Sequence, residues 1–481
     1  MGNDSSSRII DGIRAWIQSA APGAQLPSTR QLVAEYAASP VTVQKALRAL
    51  AAAGVVESRP GVGTFVRTPR STRPQDYGWQ TAALGSPRSA LPRVAGALRT
   101  APDDAQALHS GYPEPGLLPE RLVRAALVRA ARGAAATARP PASGLHELRT
   151  WFATDVGGAT PADRPAPTAT DVVIVPGSQS GLTSTFRALV APGQPLLLES
   201  PTYWGAILAA HQAGVRPVPV ASDTRGPDPD QLDRALRETG ARALYVQPNY
   251  ANPTGAQWSL DRSRAVLEVV RHHGAFLVED DWAHDFGIDT DPRPLAAQDE
   301  SGHVVYVRSL TKSMSPTIRV GAVVARGPIL ERLLADRAAE SLYVSALLQQ
   351  AALEVVTDPG WQTHLRRLRS QLRQRRDLLV SSLREHVPDL RVDDIPAGGL
   401  HLWARLPDGT DLDRLIRDCE SRGVWVAAGN EWFPAEPSAP YLRLNFTGPN
   451  PAGYPAAART IAAALDLQGD AEPGRGEGNL P

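Results

Sequence analysis

Five short apolar runs, separated by stretches of helical pattern, constrain the fold of this chain more than any other feature. The runs are VVIV (172–175), PLLLE (195–199), ALYV (243–246), AFLV (275–278) and VVYV (304–307). Unbroken runs of Val, Leu and Ile are typical of strands that are buried on both faces. Because helical stretches lie between them, the pattern predicts a large α/β domain with a mainly parallel, helix-covered sheet over residues 106–466.

The segments that follow these runs are rich in residues that can bind ligands or react with them. In a doubly wound sheet, ligands bind beyond the carboxyl ends of the strands. The segments are PGSQSG (176–181), PTYW (201–204), QP and NPTG (247–248 and 252–255), EDD (279–281) and SLTK (309–312), with Arg319 seven residues beyond Lys312. A phosphate cradle, a stacking ring, an amide donor, a carboxylate and a lysine, in this order, predict a site for pyridoxal 5′-phosphate (PLP).

Lysine is almost absent from the chain. Of 50 Lys and Arg residues, only Lys45 and Lys312 are lysine. Coding bias accounts for most of this preference for arginine. A retained lysine nevertheless indicates a position that needs an amine able to lose its proton, which arginine cannot supply. Lys312 is therefore the candidate nucleophile of the large domain.

Residues 8–67 show the pattern of three helices followed by a hairpin. Ile9 and Ile13 recur at helical spacing, and Ser28 and Gln31 have the spacing of a capping box. Ser39 caps the third helix before a first-turn proline. The apolar side of that helix comprises Val43, Ala46, Leu47 and Leu50, and its polar side comprises Gln44, Lys45 and Arg48. The polar side is free to contact a partner.

Two short strands, 55–59 and 64–66, follow the third helix and flank the turn PGVG at 60–63. Residues 1–70 carry eight Lys and Arg against four Asp and Glu, although the whole chain is neutral. Residues 1–70, here called the head, are therefore basic, and the rest of the chain is acidic. A basic segment of this kind indicates that the head binds a nucleic acid. The sequence therefore predicts an α+β winged helix-turn-helix domain over residues 1–70.

The rest of the sequence limits the class of protein. No stretch of about 20 apolar residues could span a bilayer, and the N-terminus lacks the apolar core of a secretory signal, so a cytoplasmic protein is expected. Cys419 is the only cysteine, which excludes an internal disulfide and a cysteine metal cluster. Residues 71–105, rich in Pro, Ser and Arg, are predicted to form a linker, and residues 467–481 a disordered tail.

Several of these segments resemble the motifs of two known families. PGSQSGL, ESPTYWG, NPTG, VEDD and SLTKSMSPTIRVG resemble the motifs of fold type I, class I aminotransferases. LPSTRQL, TVQKALRAL and GVGTFV resemble the GntR family of winged helix-turn-helix regulators. The two modules in this order resemble the MocR subfamily, and the pairing is specific because neither module commonly accompanies the other.

The resemblance implies roles for nine residues of the large domain. Lys312 would form the Schiff base with PLP, and Asp280 would pair with the protonated ring nitrogen. Asn252 would donate to the ring hydroxyl, and Tyr203 would stack on the ring. Arg443 would grip the carboxylate of a substrate or effector. The phosphate would be bound by Ser178, Gln179, Ser309 and Arg319.

The resemblance to GntR proteins also implies a DNA-reading surface on the third helix and the wing. The residues at matching positions are Arg30, Thr42, Gln44, Lys45 and Arg48, with Gly61 and Gly63 allowing close approach at the wing tip. Pro40 stands where the family often has an arginine, so one specificity contact is lost or moved. A solvated polar helix face, with no role in DNA binding, is the alternative.

Two departures from the aminotransferase pattern bear on activity. Trp282, Ala283 and His284 follow Asp281 where enzymes usually have a tyrosine, and Arg139 stands where a partner subunit's tyrosine often binds the phosphate. A tryptophan can stack or donate one N–H but cannot act as a phenol. These changes are compatible with PLP binding and argue against efficient transamination. For His284, a structural role is favoured over an acid–base role.

Taken together, the sequence predicts a homodimeric, PLP-dependent transcription regulator that binds double-stranded DNA. Its effector would be PLP or an amino compound, and its targets would be genes of vitamin B6 or amino-acid metabolism. Weak transaminase activity is compatible with this prediction. The main alternative is a functional aminotransferase with a DNA-binding head. An architectural DNA-binding protein that has lost its cofactor would have no reason to keep Lys312.

Overall fold

The computed structural model describes residues 5–68 and 96–469, together with residues 80 and 83. The chain forms two compact units, Met1–Arg88 and Ser89–Pro481. In these ranges, no helix is long and apolar enough to cross a membrane.

The first unit consists of three helices and a hairpin. The helices are α1 (Ser5–Ser19), α2 (Thr29–Glu35) and α3 (Pro40–Ala52), and the strands are β1 (Val56–Arg59) and β2 (Gly63–Val66). The predicted capping box is present, since the Ser28 hydroxyl accepts from the Gln31 backbone and the Gln31 side chain accepts from the Ser28 backbone. Ser39 caps α3, whose buried side contains Val43, Ala46, Leu47 and Leu50. The hairpin is antiparallel, with Val56 opposite Val66.

The second unit is built on an eight-stranded sheet. After the short β3 (Gln106–Ala107), the strands are β4 (Val172–Val175), β5 (Pro195–Ser200), β6 (Arg216–Asp223), β7 (Gly226–Pro227), β8 (Ala243–Val246), β9 (Phe276–Asp281), β10 (Val304–Ser309) and β11 (Gly321–Val324). Their order is β4-β11-β10-β9-β8-β5-β6-β7. All five apolar runs are strands, as predicted. Five adjacent strands of this sheet are parallel to one another: β10, β9, β8, β5 and β6.

Strand β11 is the main departure from the predicted sheet. It lies between β4 and β10 and is antiparallel to both. Two reversals restore the direction, so β4 points the same way as β10. The carboxyl ends of β4, β5, β8, β9 and β10 therefore meet at one edge of the sheet.

Helices cover the sheet on both faces and build a smaller layer beside it. They are α4 (Glu120–Arg132), α5 (His146–Ala159), α6 (Ser178–Leu189), α7 (Trp204–Gln212), α8 (Pro229–Thr239), α9 (Leu260–His272), α10 (Pro328–Glu340), α11 (Ala346–Val356), α12 (Pro359–His386), α13 (Leu412–Ser421) and α14 (Tyr454–Gly469). Neighbouring residues of one strand enter two separate apolar cores: Leu244 packs into one core and Tyr245 into the other. The unbroken apolar runs of the sequence have this physical origin.

A third apolar core lies under the smaller layer. Its strands are β12 (His401–Arg405), β13 (Val424–Trp425), β14 (Ala427–Ala428) and β15 (Tyr441–Asn445), of which β12, β15 and β14 form an antiparallel sheet, here called the small sheet. Helices α12, α13 and α14 pack on it. The small sheet carries Arg443 on its central strand.

The segments predicted as linker and tail lie partly outside the described residues. Gly96–Leu98 forms a short 3₁₀ turn, and Arg99 pairs with Glu420 and lies 4.4 Å from the Trp425 ring centroid. The end of the predicted linker therefore packs on the second unit. Helix α14 continues to Gly469, past the predicted start of the tail at residue 467, because Gln468 exchanges hydrogen bonds with the Asp411 backbone. The domain boundaries stay predictions.

Candidate functional site

A cavity of about 400 Å³ lies at the edge where the strand ends meet. We call it the cofactor cavity. Its lining includes all nine residues predicted for PLP and carboxylate binding: Ser178, Gln179, Tyr203, Asn252, Asp280, Ser309, Lys312, Arg319 and Arg443. The structure therefore brings together side chains that are up to 265 positions apart in the chain. A cavity of this size suits a small cofactor and part of an amino acid.

Asp280 lies at the end of β9 and is 1% exposed. Its Oδ2 accepts hydrogen bonds from the Tyr245 hydroxyl at 2.8 Å and from Gln247 Nε2 at 2.9 Å. Its Oδ1 is buried and has no partner among the described residues. Burial raises the pKa of Asp280 to about 6, against the lowering effect of the two donors. The open Oδ1 is an acceptor that a bound cation or N–H group would satisfy.

Sequence reasoning missed the residues that hold Asp280. Gln247 donates from its side chain to Asp280 and accepts from the Asn252 backbone at 2.8 Å. The Gln247 backbone N–H donates to the buried Glu199 at 2.8 Å, and burial raises the pKa of that carboxyl to about 7. Tyr245 lay inside an apolar run and so carried no signal of a polar role. Gln247 follows an apolar run in the sequence, but the sequence does not show that its side chain contacts Asp280.

Lys312 lies in the turn that follows β10. Its Nζ is 4.2 Å from the centroid of the Trp282 ring and 5.8 Å from those of Tyr112 and Tyr203. Burial, reinforced by the positive charge of Arg443, lowers the pKa of Lys312 to about 7, while Asp280 acts in the opposite direction. A large fraction of this amine is therefore neutral and nucleophilic near pH 7, whereas only about 1 in 3,000 ordinary lysines is neutral there.

We expect the lowered pKa of Lys312 to set the pH dependence of PLP capture by the apoprotein. Because the neutral amine is the reactive form, the capture rate should rise as pH increases through about 7 and level off above it. An ordinary lysine would keep gaining about tenfold per pH unit up to about pH 10. Stopped-flow absorbance measures the rate, and Nα-acetyl-lysine in the same buffers corrects for titration of PLP itself. A profile parallel to that of the free lysine would contradict the assignment.

The phosphate-binding residues surround the N-terminus of α6. Gly177 precedes this helix with φ +85°, and a Cβ there would lie 2.9 Å from Arg319 Nη2. Glycine is therefore required both for the backbone conformation and for the close approach of the guanidinium. Ser309 donates to the Thr311 hydroxyl at 2.9 Å, and both side chains line the same cavity. A helix N-terminus, hydroxyls and one arginine make an anion site.

Asn252, Tyr203 and Arg443 border the cavity between the two sheets. Asn252 Oδ1 accepts from Trp432 Nε1 at 3.1 Å and from Arg443 Nη1 at 3.3 Å, which orients its amide N–H₂ as the free donor end. The Tyr203 hydroxyl donates to Gln179 at 3.1 Å. Arg443 is 1% exposed and donates to the His109 backbone oxygen at 2.6 Å, but its Nε has no partner in the part of the chain that the structure describes. Arg443 thus remains able to donate to a ligand.

The structure shows where the residues that depart from the aminotransferase pattern lie. Trp282 lines the cofactor cavity, and its indole N–H donates to the Tyr250 backbone oxygen at 3.1 Å. His284 lies outside that lining, where its Nδ1 is 2.7 Å from Asp281 Oδ2, and the surrounding carboxylates raise its pKa against the effect of burial. This placement supports a structural role for His284. Arg139 lies 6.0 Å from the Tyr343 ring centroid.

In the first unit, the predicted DNA-reading residues lie on α2, on α3 and in the hairpin, and most of them are exposed. The side chains of Arg30, Gln44, Lys45 and Arg48 are exposed. Thr42 is half-buried, and its hydroxyl lies 2.8 Å from that of Ser39, so it takes part in the helix cap. Gly61 has φ +74°, and no atom of the described residues lies within 4 Å of a would-be Cβ there. Gly63 has φ +145°, a backbone conformation that other residues rarely adopt, whereas the nearest atom to a would-be Cβ is the end of the exposed Gln25 side chain, which can move aside.

The residues of the cofactor cavity fit PLP. The orphaned Asp280 Oδ1 can accept from a protonated pyridine nitrogen, and the Lys312 amine is poised for reaction with an aldehyde. The anion site at α6 can take the phosphate. In the described part of the chain, no group of three or more His, Cys, Asp or Glu side chains is placed to hold a metal ion.

Comparison with known families agrees with this geometry. Residues 112–461 match the family described as aminotransferase class I and II, and residues 5–66 match the bacterial regulatory proteins of the gntR family. The crystal structure of LysN, an alpha-aminoadipate aminotransferase from Thermus thermophilus complexed with N-(5′-phosphopyridoxyl)-L-leucine, superposes with a TM-score of 0.70 at 28% identity. The superposition covers 76% of this chain and 93% of the LysN chain.

Curated relatives include enzymes and regulators. The 2-aminoadipate transaminase of Thermus thermophilus is 30% identical, over 74% of this chain and 88% of its own length. The probable rhizopine catabolism regulatory protein MocR of Rhizobium meliloti is 27% identical, over 89% of this chain and 86% of its own length, so this match extends across both units. The chain belongs to the aminotransferase class I and II family, and its gntR-type head makes it a PLP-dependent, DNA-binding regulator of the MocR type.

Proposed function

We propose that the second unit binds PLP and senses an amino compound that carries a carboxylate, and that the ligand state controls DNA binding by the first unit. The observation that carries this proposal is the meeting of Lys312, the open Oδ1 of Asp280 and the unpartnered Nε of Arg443 in one cavity. Lys312 and Asp280 would hold PLP, whose aldehyde reacts with an amine, and Arg443 would bind the carboxylate of the same ligand. The regulated genes would belong to vitamin B6 or amino-acid metabolism.

Each residue of the cofactor cavity would contact a different part of PLP. When bound, PLP supplies an aldehyde that reacts with primary amines and a ring that withdraws electrons. Asp280 accepts from the ring nitrogen, Asn252 donates to the ring hydroxyl, and Tyr203 packs against the ring. Ser178, Gln179, Ser309 and Arg319 bind the phosphate. Lys312 provides the amine that an amino effector displaces.

Arg443 would select the effector. It reaches the cavity from the small sheet, whereas Asp280 lies on β9 of the eight-stranded sheet and Lys312 in the turn that follows β10. A ligand with both an amine and a carboxylate would therefore contact both layers and favour one arrangement of them over another. Such differential binding is the minimum that a ligand of the second unit needs in order to control DNA binding by the first unit.

Titrating the PLP-loaded protein with matched amine pairs tests this proposal. An α-amino acid and its decarboxylated amine differ only in the carboxylate, and each can displace Lys312 with a change in visible absorbance. We expect the amino acid to act at a concentration at least tenfold lower, because a buried arginine–carboxylate pair contributes about 1.5–3 kcal/mol. Arg443→Lys should reduce this preference. Equal response to both compounds would contradict the role of Arg443.

If the polar side of α3 contacts DNA phosphates, its basic residues should contribute to the salt dependence of DNA affinity. The protein is expected to act as a homodimer with two heads on paired half-sites. We expect Arg48→Ala to weaken binding and to reduce the slope of log affinity against log salt concentration by about 1 for each head. Arg14→Ala on α1, also exposed, is the matched control and should leave the slope unchanged. Fluorescence anisotropy over a salt series measures both, and equal slopes for the two variants would contradict the assignment.

The alternative, a working aminotransferase with a DNA-binding head, predicts a different result. It requires multiple turnovers with pairs of amino and keto acids. We expect at most weak turnover, because Trp282 stands where enzymes usually have a phenol and its N–H is already used by the Tyr250 backbone. Turnover at ordinary enzyme rates of about 1 per second or more would favour the alternative.

A further inference from the structure

A second cavity, which we call the acidic cavity, is separate from the cofactor cavity. It has a volume of about 600 Å³ and shares no lining residue with the cofactor cavity. One wall comes from the end of β6 and the other from the small sheet and the loop that precedes β15. None of the roles described above uses this cavity.

One wall of the acidic cavity is aromatic. The rings of Trp403 and Tyr441 are stacked, with centroids 4.7 Å apart and planes inclined by 11°. Phe433 lies beside them, at 6.2 Å from Trp403 and 6.1 Å from Tyr441. All three rings are half-buried and line the cavity. An aromatic wall of this kind attracts organic cations through the negative faces of the rings.

The rest of the rim is rich in carboxylates. Asp393, Asp394 and Glu436 are exposed and line the cavity together with Asp223. Asp223 is partly neutralised by Arg225, which lies 2.8 Å away. The one cationic side chain of the described lining, Arg405, pairs with Asp408 at 3.1 Å, outside the cavity, and also interacts electrostatically with Asp393 of the rim. Asp394 and Glu436 form no ion pair within the described ranges, so the cavity carries a net negative charge.

The arrangement of these charges favours an extended organic cation over a metal ion. The described carboxylates do not converge into a group that could hold a metal. They are spread around a cavity large enough for a flexible molecule. Hydroxyls of Ser222, Thr254 and Ser438 lie in the same lining and can accept from ammonium N–H groups. A linear chain with several ammonium groups matches separated carboxylates, and its methylene segments match the aromatic wall.

We propose that the acidic cavity is a second ligand site that binds a linear polyamine. Spermidine is the probe, titrated by calorimetry into the full-length, PLP-loaded protein after borohydride reduction, so that its primary amines cannot displace Lys312 in the cofactor cavity. We expect one saturable site per chain. The double variant Asp393→Asn/Asp394→Asn should weaken binding at least about tenfold, since each charge contributes a modest amount in a partly exposed setting.

A matched control separates this site from general surface charge. Asp103 and Asp104 are also an adjacent, exposed acidic pair of the second unit, but they do not line the cavity. Asp103→Asn/Asp104→Asn should bind spermidine as the unchanged protein does. Phe433→Leu, which keeps an apolar side chain and removes the ring, should weaken binding, while the PLP absorbance of every variant reports that the fold is intact.

Three outcomes would overturn the proposal. One is the absence of saturable spermidine binding at physiological ionic strength. Another is equal weakening by both acidic double variants, which would show non-specific attraction to the surface. The third is unchanged binding by Asp393→Asn/Asp394→Asn, which would place the amine elsewhere on the protein. None of these outcomes bears on PLP binding, so the proposal stands or falls independently of the cofactor cavity.

Discussion

Lys312→Arg is expected to abolish the retention of PLP. Arginine keeps a positive charge at this position but offers no amine that can lose its proton, so no covalent bond to the aldehyde can form. The remaining contacts of Asp280, Asn252 and the α6 anion site hold PLP only by non-covalent binding. We expect affinity to fall at least about a hundredfold, or about 2.8 kcal/mol. Gel filtration followed by visible absorbance measures the PLP that remains bound.

The chain supplies a matched control for this substitution. Lys45 is the only other lysine and lies on α3 of the first unit. Lys45→Arg should retain PLP as the unchanged protein does, since the substitution is outside the cofactor cavity. Lys312→Ala, which adds no bulk, guards against a purely steric effect of arginine. If either Lys312 variant kept a full complement of PLP through gel filtration, Lys312 would not be the residue that holds it.

The second large effect is expected at Arg308, and it concerns stability rather than ligand binding. Arg308 is 2% exposed and forms ion pairs with Asp155 and Asp285, the latter at 3.0 Å. Its guanidinium also lies 5.1 Å from the Trp151 ring centroid. Removal of one partner from a buried ion pair leaves the other charge without compensation, which typically costs about 3–5 kcal/mol. Arg308→Leu should therefore lower the free energy of unfolding by about this amount.

Urea unfolding followed by tryptophan fluorescence measures the change. The control is Arg264→Leu, where an arginine with a 70% exposed side chain pairs with the 95% exposed Asp261. Exposed pairs contribute little, so this variant should keep the unfolding midpoint of the unchanged protein. A midpoint for Arg308→Leu as high as that of the control would show that Asp155 and Asp285 are not dependent on the buried cation.

The sequence was sufficient for the parallel part of the sheet and for the residues at its edge. A strand that is buried on both faces has a visible pattern, and side chains that directly follow such strands must meet where the strand ends meet. The antiparallel β11 was not predicted, because an apolar run shows burial but not direction. Its four residues are as apolar as those of the neighbouring strands.

The supporting residues of the site could not be predicted because they act across long sequence separations. Tyr245 holds Asp280 from a position inside an apolar run, and Trp432 orients Asn252 from 180 residues away. In each case the residue type is common in cores, and only the packed structure shows which polar atom it reaches. Gly63 illustrates the same limit in the first unit, where a glycine expected to serve DNA contact also has a backbone φ of +145° that other residues rarely adopt.

The most direct test of the whole account is the affinity of the full-length protein for DNA from upstream of its own gene, with and without PLP. Fluorescence anisotropy at fixed salt concentration gives the two Kd values, and Lys312→Ala is measured in parallel. The account predicts that PLP changes the Kd of the unchanged protein at least about fivefold, within the usual range of coupling between sites, and leaves that of Lys312→Ala unaltered. Tight DNA binding with the same Kd in both ligand states and in the variant would contradict it.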